Sequence, residues 1–264
     1  MLIAQITDCH VKREGRLVYG KIDSATMLER AILRINALNP QPDVVIATGD
    51  LADGGEPAEY LRLRKLLTRL RARFLLLPGN HDRCVALREV FPDHPYLAGP
   101  GGFCCYADES GPVRLVALDS SEDGKVGAVF DAVRLAWLEQ TLGARPHAPT
   151  LVFTHHPPFV TAIAHIDEFA AVGAGEFAAV IGRHRQVVRV IAGHVHRAMS
   201  VAWAGTICTT CPSTAHQFAL DLAPGVPAHW TDEPSGYQLH HWLAGTGLVT
   251  HTAFTMPSTR NRLA

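Results

Sequence analysis

The sequence predicts an α/β protein whose sheets are covered on both faces. Short, almost wholly apolar segments recur as far as residue 192, as expected for buried strands. Segments with helical spacing of apolar residues lie between several of them. Apolar residues make up 47% of the 264 residues and charged residues 19%. This composition supports a sizeable core and argues against disorder.

Six strands are predicted from the apolar segments. They cover Leu2 to Ile6, Asp43 to Thr48, Arg73 to Leu77, Val113 to Leu118, Thr150 to Thr154 and Val187 to Ala192. Four helices are predicted between them, over residues 23–38, 57–70, 130–142 and 176–184. Asp23 or Ser24 can cap the first helix, and Pro57 suits the first turn of the second. Helices that alternate with strands favour the α/β class.

The pattern changes after His196. Three strand-like segments, at 200–210, 236–244 and 248–255, follow without helices between them. They can pair as a second sheet or complete the first. We expect a single domain over residues 1–264, in which 198–264 completes the second sheet and contributes to an oligomer interface if one exists.

Composition also bears on partners and location. Lys and Arg total 24 against 25 Asp and Glu, so the chain lacks the basic surplus that a nucleic-acid polymer would favour. No apolar run approaches the roughly 20 residues of a membrane helix, and the first residues lack the basic start of a signal peptide. We therefore expect a cytoplasmic protein without a membrane partner. Cys208 and Cys211 form a lone CxxC, for which buried thiols are favoured over a redox or zinc role.

Polar side chains follow five of the predicted strands, at the point where each strand ends. In open α/β sheets this rim is where ligands bind. The chain also has 15 histidines, and histidine is the commonest metal ligand. The candidate metal ligands are Asp8, His10, Asp50, Asn80, His155, His194 and His196.

These residue types suit a pair of metal ions. Carboxylate, amide and imidazole groups bind Zn, Fe or Mn, and seven ligands are too many for one four-coordinate ion. Two ions roughly 3.5–4 Å apart and bridged by one carboxylate would use them all. Two divalent ions and two carboxylates leave a positive site, which a hydroxide and a singly charged phosphodiester would neutralise. A metal-activated hydroxide is a nucleophile at neutral pH.

The motifs, in order, resemble those of the calcineurin-like metallophosphoesterase superfamily. They are Asp-x-His at residue 8, Gly-Asp at 49, Gly-Asn-His-Asp at 79, His at 155 and Gly-His-x-His at 193. The resemblance covers Leu2 to His196. Within the superfamily the chain is similar to bacterial class III cyclic nucleotide phosphodiesterases and related glycerophosphodiesterases. The segments "LVYGKID" from Leu17 and "STAHQ" from Ser213 strengthen that closer similarity.

The resemblance implies a four-layer α/β/β/α sandwich with two mixed sheets and two metal sites. One ion would be held by Asp8, His10, Asp50 and His196, and the other by Asp50, Asn80, His155 and His194. Asp50 would bridge the ions. His81 would not bind metal but would face the phosphate, to stabilise charge or to protonate the leaving alkoxide.

The roles of several side chains near the candidate metal ligands are left open by the sequence. His156, His216 and Tyr19 are candidate substrate contacts, and each has a structural alternative as a packed or buried side chain. Asp53 either holds a ligand in place or caps the following helix. Asp82 is expected to orient its loop or His81.

The sequence thus predicts a dinuclear metal-dependent phosphodiesterase. A hydroxide shared by the two ions would hydrolyse a small diester, either a 3′,5′-cyclic nucleotide or a glycerophosphodiester. Loops at 11–20 and 159–175 are expected to set that choice. A nuclease is the alternative activity, and a non-catalytic metal-binding scaffold is the alternative of another class. Fe, Mn, Zn or Co would serve as the metal, and a homo-oligomer is left open.

Overall fold

Two mixed β-sheets packed face to face form the centre of the computed structural model, which describes residues 1–169 and 171–256. The strands are β1 (Leu2–Ile6), β2 (Val44–Thr48), β3 (Arg73–Leu77), β4 (Tyr106–Asp108), β5 (Arg114–Ala117), β6 (Thr150–Phe153), β7 (Val187–Ala192), β8 (Met199–Trp203), β9 (Thr206–Thr210), β10 (Gln217–Phe218), β11 (Trp230–Thr231), β12 (Gly236–Leu243) and β13 (Gly247–Phe254). The helices are α1 (Ser24–Asn36), α2 (Pro57–Leu67), α3 (Cys84–Val90), α4 (Ala132–Gly143), α5 (Ala164–Asp167) and α6 (Ala174–Arg183).

The first sheet has the strand order β13-β12-β1-β2-β3, and the second has β4-β5-β6-β7-β9-β8. In the first sheet β1, β2 and β3 are parallel, and β12 and β13 are added antiparallel. In the second sheet β5, β6, β7 and β9 are parallel, and the two outer strands are antiparallel. Strands β10 and β11 form a separate small ribbon.

Alternating side chains show how the layers stack. In β5, Leu115 and Ala117 belong to the core between the two sheets, whereas Val116 packs with α4 and α6 on the outer face. Leu28 of α1 and Leu63 of α2 join the core on the other side of the first sheet. The four-layer α/β/β/α sandwich with two mixed sheets is therefore confirmed. Each fully buried aliphatic side chain in these layers contributes about 1.5–3 kcal/mol.

The six strands predicted before residue 193 and the four predicted helices are all present, with bounds that shift by up to three residues, whereas the segment predicted at 200–210 is a hairpin of two strands, β8 and β9. The N-terminal cap of α1 is Asp23, whose carboxylate accepts from the Thr26 N–H. Pro57 begins α2, as predicted. Strands β4, β10 and β11 and helices α3 and α5 were not predicted, because elements of two to seven residues are too short to show a period. No helix within residues 1–169 and 171–256 is both long and apolar enough to cross a membrane.

The last quarter of the chain divides between the sheets. Strands β8 and β9 complete the second sheet, but β12 and β13 extend the first sheet by pairing with β1. The prediction that 198–264 completes the second sheet is thus wrong for β12 and β13, and residues 257–264 lie outside the described part. The Gln238 side-chain amide donates to the Thr210 carbonyl at 3.0 Å, which ties the two late segments together between the sheets.

Candidate dinuclear metal centre

Five strands deliver polar side chains to one edge of the sandwich. The Asp8 N–H, after β1, donates to the Gly49 carbonyl after β2 at 3.0 Å. The His194 N–H, after β7, donates to the Asp8 carboxylate at 3.0 Å. Because these contacts join the ends of strands from both sheets, the structure brings together all seven predicted ligands, Asp8, His10, Asp50, Asn80, His155, His194 and His196.

The first group of donor atoms lies around His10 and His196. The two Nε2 atoms of these rings are 3.2 Å apart. Asp8 Oδ1 lies 3.4 Å from His196 Nε2, and Asp50 Oδ2 lies 3.6 Å from His10 Nε2. Four side chains from three strand ends therefore point lone pairs at one small volume.

The second group of donor atoms lies around Asn80. The Asn80 Oδ1 atom is 3.1 Å from His155 Nε2 and 3.1 Å from His194 Nδ1. Asp50 Oδ1 is 3.4 Å from His155 Nε2. Asp50 thus directs one carboxylate oxygen to each group, which is the arrangement expected of a ligand shared by two ions.

The hydrogen bonds of the rings show that the donor set fits metal ions. His155 Nδ1 lies 2.8 Å from the Thr48 carbonyl, and His196 Nδ1 lies 2.8 Å from the His216 carbonyl. A carbonyl only accepts, so each Nδ1 carries a proton and each Nε2 is the ring atom through which a metal ion would bind. His10 Nδ1 lies 3.1 Å from Asp53 Oδ1, which orients that ring in the same way. Asp53 is therefore a partner of a candidate ligand.

Burial and mutual attraction set the charges of the centre. Burial raises the pKa of Asp8, but the neighbouring His196 outweighs it and lowers that pKa to about 2. Burial lowers the pKa of His155, but Asp50 outweighs it and raises that pKa to about 9. A proton on His155 therefore balances the carboxylates in the metal-free protein. A divalent ion supplies the same compensation, so metal binding is expected to displace that proton.

The backbone at the centre is unusual. Five of the seven candidate ligands have positive φ: Asp8 at 50°, His10 at 44°, Asp50 at 47°, His194 at 68° and His196 at 55°. For residues other than glycine this left-handed region is disfavoured by about 1–2 kcal/mol each. The sharp turns at these five residues bring their side chains close to one another at the strand ends, where the donor atoms of the two groups meet.

The glycines that precede the candidate ligands let side-chain atoms of neighbouring residues lie very close to the backbone. A Cβ on Gly79 would lie 2.3 Å from Asp50 Oδ1, and a Cβ on Gly193 would lie 2.0 Å from Thr7 Oγ1. Neither position has room for a side chain. The Gly-Asn and Gly-His pairs of the motifs therefore follow from packing as well as from chemistry.

Asp82 holds the loops rather than the metals. Its carboxylate accepts from the N–H groups of Leu51 at 3.0 Å, Ala52 at 3.0 Å and Gly79 at 2.8 Å, and from the Tyr60 hydroxyl at 2.9 Å. Burial and the nearby Asp50 raise the pKa of Asp82 to about 6. Asp82 thereby joins the Asp50 loop to the Asn80 loop, as predicted for a residue that orients its loop.

Removing the Asp82 carboxylate should destabilise the fold. We expect Asp82→Ala to lower the free energy of unfolding by about 3 kcal/mol, because four buried donors lose their acceptor. Thermal unfolding of chelator-treated protein measures this as a lower Tm. Asp123→Ala, which removes an exposed carboxylate, is the control and should leave Tm unchanged. Equal Tm values for both variants would contradict the role given to Asp82.

His81 lies beside both groups without belonging to either. The backbone N–H of His81 donates to Asp50 Oδ1 at 2.9 Å, and the ring atom Nδ1 lies 2.7 Å from the Asp53 carbonyl oxygen. Nδ1 therefore carries a proton and Nε2 is left for another partner. Burial lowers the pKa of His81, but Asp50 and Asp53 outweigh it, so that pKa is raised. The protonated ring is thus favoured beside the candidate metal ligands.

A cavity of about 470 Å³ opens over the centre. Its floor contains His10, Asp50, Asn80, His81, His194 and His196. Its walls contain Tyr19, Val126, His165, Ile166, Glu168, Phe169, His216, Phe218 and residues 225–228. A volume of this size suits a small molecule.

The three candidate substrate contacts differ in their surroundings. Tyr19 and His216 line the cavity with ring centroids 5.3 Å apart, and no described residue hydrogen-bonds either ring nitrogen of the buried His216. In His156, Nδ1 lies 2.8 Å from the Ser120 hydroxyl and Nε2 lies 2.9 Å from the Val126 carbonyl. His156 therefore has no ring nitrogen free to hydrogen-bond a substrate, which favours its structural alternative over a polar substrate contact.

Two residues that line the cavity, His165 and Phe218, were not predicted from the sequence. His165 lies on α5 and its Nε2 is buried without a hydrogen-bond partner among residues 1–169 and 171–256. Phe218 stacks on His196, with ring centroids 4.3 Å apart. The segment 159–175 was expected to affect specificity, but nothing in its pattern identified His165. Phe218 follows "STAHQ" directly, which was the available signal.

Comparison with known proteins agrees with this geometry. The family model of the calcineurin-like phosphoesterases matches residues 1–198. A protein of Arcobacter nitrofigilis named probable glycerophosphodiester phosphodiesterase GpdQ is 37% identical, over 96% of this chain and 93% of its own. A probable cyclic nucleotide phosphodiesterase of Rhodopseudomonas palustris is 35% identical, over 95% and 91%.

Solved structures resemble the fold. A dimetal phosphatase from Danio rerio has a TM-score of 0.70 at 15% identity, with 97% of this chain and 99% of that chain covered. Fold and paired donor groups together define a phosphoesterase that uses divalent metal ions. The chain belongs to the calcineurin-like phosphoesterase family. The predicted superfamily and enzyme class are confirmed.

Proposed function

We propose that this enzyme hydrolyses small phosphodiesters with two divalent ions. The observation that carries the proposal is Asp50, whose two oxygens face two separate groups of donor atoms. Asp8, His10, Asp50 and His196 would hold one ion, and Asp50, Asn80, His155 and His194 the other. When bound, the ions supply Lewis acidity toward water and the phosphate oxygens. Mn, Fe, Zn and Co all suit these ligands.

The reaction adds water across one ester bond. An oxygen from water bonds to phosphorus, the bond from phosphorus to one alcohol oxygen breaks, and the products are a phosphomonoester and an alcohol. His81 is placed to donate a proton to the leaving oxygen, because its Nδ1 is held by the Asp53 carbonyl and its ring lines the cavity beside Asp50. His216 and Tyr19 would contact the organic part of the substrate from the wall.

The size and charge of the cavity favour small diesters over polymers. None of its lining residues, which all lie in the described part of the chain, is Lys or Arg. The formal net charge of the whole chain is -1. A nuclease would need cationic side chains along the strand. The relatives from Arcobacter nitrofigilis and Rhodopseudomonas palustris are named a probable glycerophosphodiester phosphodiesterase and a probable cyclic nucleotide phosphodiesterase, and both substrate classes are small diesters.

Removal and return of metal tests the proposal directly. We expect the chelator-stripped protein to lose nearly all hydrolysis of methyl p-nitrophenyl phosphate, and about two equivalents of Mn(II) per chain to restore it. Zn(II), Fe(II) and Co(II) are added in parallel to compare the metals. Absence of hydrolysis with every metal, in protein with an unchanged circular dichroism spectrum, would favour the non-catalytic scaffold.

The substrate class is tested at matched Mn(II) loading. Glycerophosphodiesters and 3′,5′-cyclic nucleotides are compared by kcat/KM, with single-stranded DNA as the polymer control. We expect at least one class of small diester to be hydrolysed and DNA to be left intact. Cleavage of DNA at a comparable rate would favour the nuclease.

A further inference from the structure

A second cavity adjoins the larger one at the metal centre. It has a volume of about 250 Å³ and, like the larger cavity, is lined by His194, Ile166 and Phe169. Ile166 and Phe169, on α5 and just after it, thus contribute to the walls of both cavities, and both cavities reach a candidate metal ligand. Segment 159–175, which was expected to affect substrate choice, supplies most of the lining of the smaller cavity, but the family comparisons and the sequence motifs assign this cavity no occupant.

The smaller cavity has an apolar interior. Phe159, Val160, Ala128 and Ala174 contribute to its wall. Of its polar residues, His194 is a candidate metal ligand, and His156, Thr161 and Asp167 form hydrogen bonds within the protein. Both ring nitrogens of His156 are hydrogen-bonded, and Thr161 donates its N–H and its hydroxyl to Asp167 Oδ1, each at 2.8 Å. An occupant of this cavity would therefore be recognised by apolar contact rather than by charge.

The position of His81 orients a diester between the cavities. His81 lines the larger cavity but does not line the smaller one, whereas His194 lines both. With the phosphate at the metal centre and the leaving oxygen toward His81, the leaving alcohol lies in the larger cavity. The other alcohol of an acyclic diester is then directed past His194. A cyclic diester has no separate second arm to place there.

We infer that the smaller cavity binds the non-leaving arm of an acyclic phosphodiester, and that an apolar arm is preferred. The inference rests on the proposed function and adds to it a substrate class, namely open-chain diesters with one apolar alcohol. Val160 and Ala174, which lie far from His81 in sequence, then become specificity-determining residues.

Two substrates that share a leaving group test this inference. They are phenyl p-nitrophenyl phosphate and methyl p-nitrophenyl phosphate, assayed with the Mn(II)-loaded enzyme. Ala174→Leu fills the cavity from the start of α6, and Val160→Asp places a charge at its mouth, on a side chain that is 82% exposed. Ala179→Leu is the matched control, since Ala179 is exposed on the same helix and does not line this cavity.

The readout is the ratio of kcat/KM for the phenyl ester to kcat/KM for the methyl ester. We expect Ala174→Leu and Val160→Asp each to lower this ratio about fivefold or more, and Ala179→Leu to leave both rates unchanged. An unchanged ratio in both cavity variants, with hydrolysis of the methyl ester retained, would overturn the inference alone. If the wild-type enzyme with metal hydrolyses glycerophosphodiesters or cyclic nucleotides but neither ester, the inference alone fails; if it hydrolyses none of these diesters, the proposed function fails and the inference fails with it.

Discussion

Replacing Asp50 with asparagine should lower kcat/KM for a phosphodiester by about a thousandfold or more. Asparagine keeps the shape of the side chain but offers one neutral oxygen where the carboxylate offers two charged ones. Asp50 Oδ2 lies 3.6 Å from His10 Nε2, and Oδ1 lies 3.4 Å from His155 Nε2, so in Asp50→Asn one donor group loses its oxygen and the other keeps only a neutral one. Initial rates with Mn(II) and the metal content of dialysed protein measure the effect.

Metal content separates this loss from a general loss of folding. We expect Asp50→Asn to retain about one ion per chain or fewer, while circular dichroism shows an unchanged fold. Asp123→Asn alters an exposed carboxylate and should keep both the activity and the metal. Full activity in Asp50→Asn would remove the shared ligand from the proposal.

Replacing His81 with alanine should slow hydrolysis in a way that depends on the leaving group. For a glycerophosphodiester, whose alkoxide needs a proton, we expect kcat to fall about 10²–10³-fold. For a p-nitrophenyl ester the fall should be much smaller, because p-nitrophenolate leaves without protonation. His81 is suited to this role because Nδ1 is held by the Asp53 carbonyl, which leaves Nε2 toward the cavity.

The comparison of the two leaving groups decides between the roles open to His81. An equal loss for both substrates would indicate that His81 stabilises charge on the phosphate and does not protonate the leaving oxygen. His147→Ala removes an exposed histidine and should change neither rate. Unchanged kcat for both substrates in His81→Ala would exclude either role.

The sequence predicted the ligand residues because they lie at strand ends. The ends of parallel strands lie at one edge, so residues far apart in the chain, such as Asp8 and His194, could be placed together without coordinates. On an extended chain the neighbours His155 and His156 would point to opposite sides. In the structure they lie in a bend after β6 and their ring centroids are only 4.6 Å apart, although His155 reaches Asn80 and His156 reaches Ser120, so that expectation is wrong.

Contacts that depend on loops could not be predicted in the same way. His165 and Phe218 enter the cavity from segments without a regular period, and their positions depend on how those segments cross the sheet edge. The pairing of β12 with β1 was missed for a similar reason. The alternation of side chains in an antiparallel strand is the same whichever of the two sheets the strand joins. Contacts between the sheets, such as the hydrogen bond from Gln238 to Thr210, distinguish the two arrangements, and they cannot be read from that alternation.

The left-handed backbone at five candidate ligands has a consequence for the evolution of this enzyme. Asp8, His10, Asp50, His194 and His196 keep a disfavoured conformation that glycine would adopt freely. Replacement by glycine would relieve that strain, but it would leave the backbone N–H groups of His194 and His81 without the carboxylates of Asp8 and Asp50 that accept from them. The strained turn and the buried side chain therefore have to be kept or lost together, so a single substitution at either carboxylate does not lead to a more stable protein.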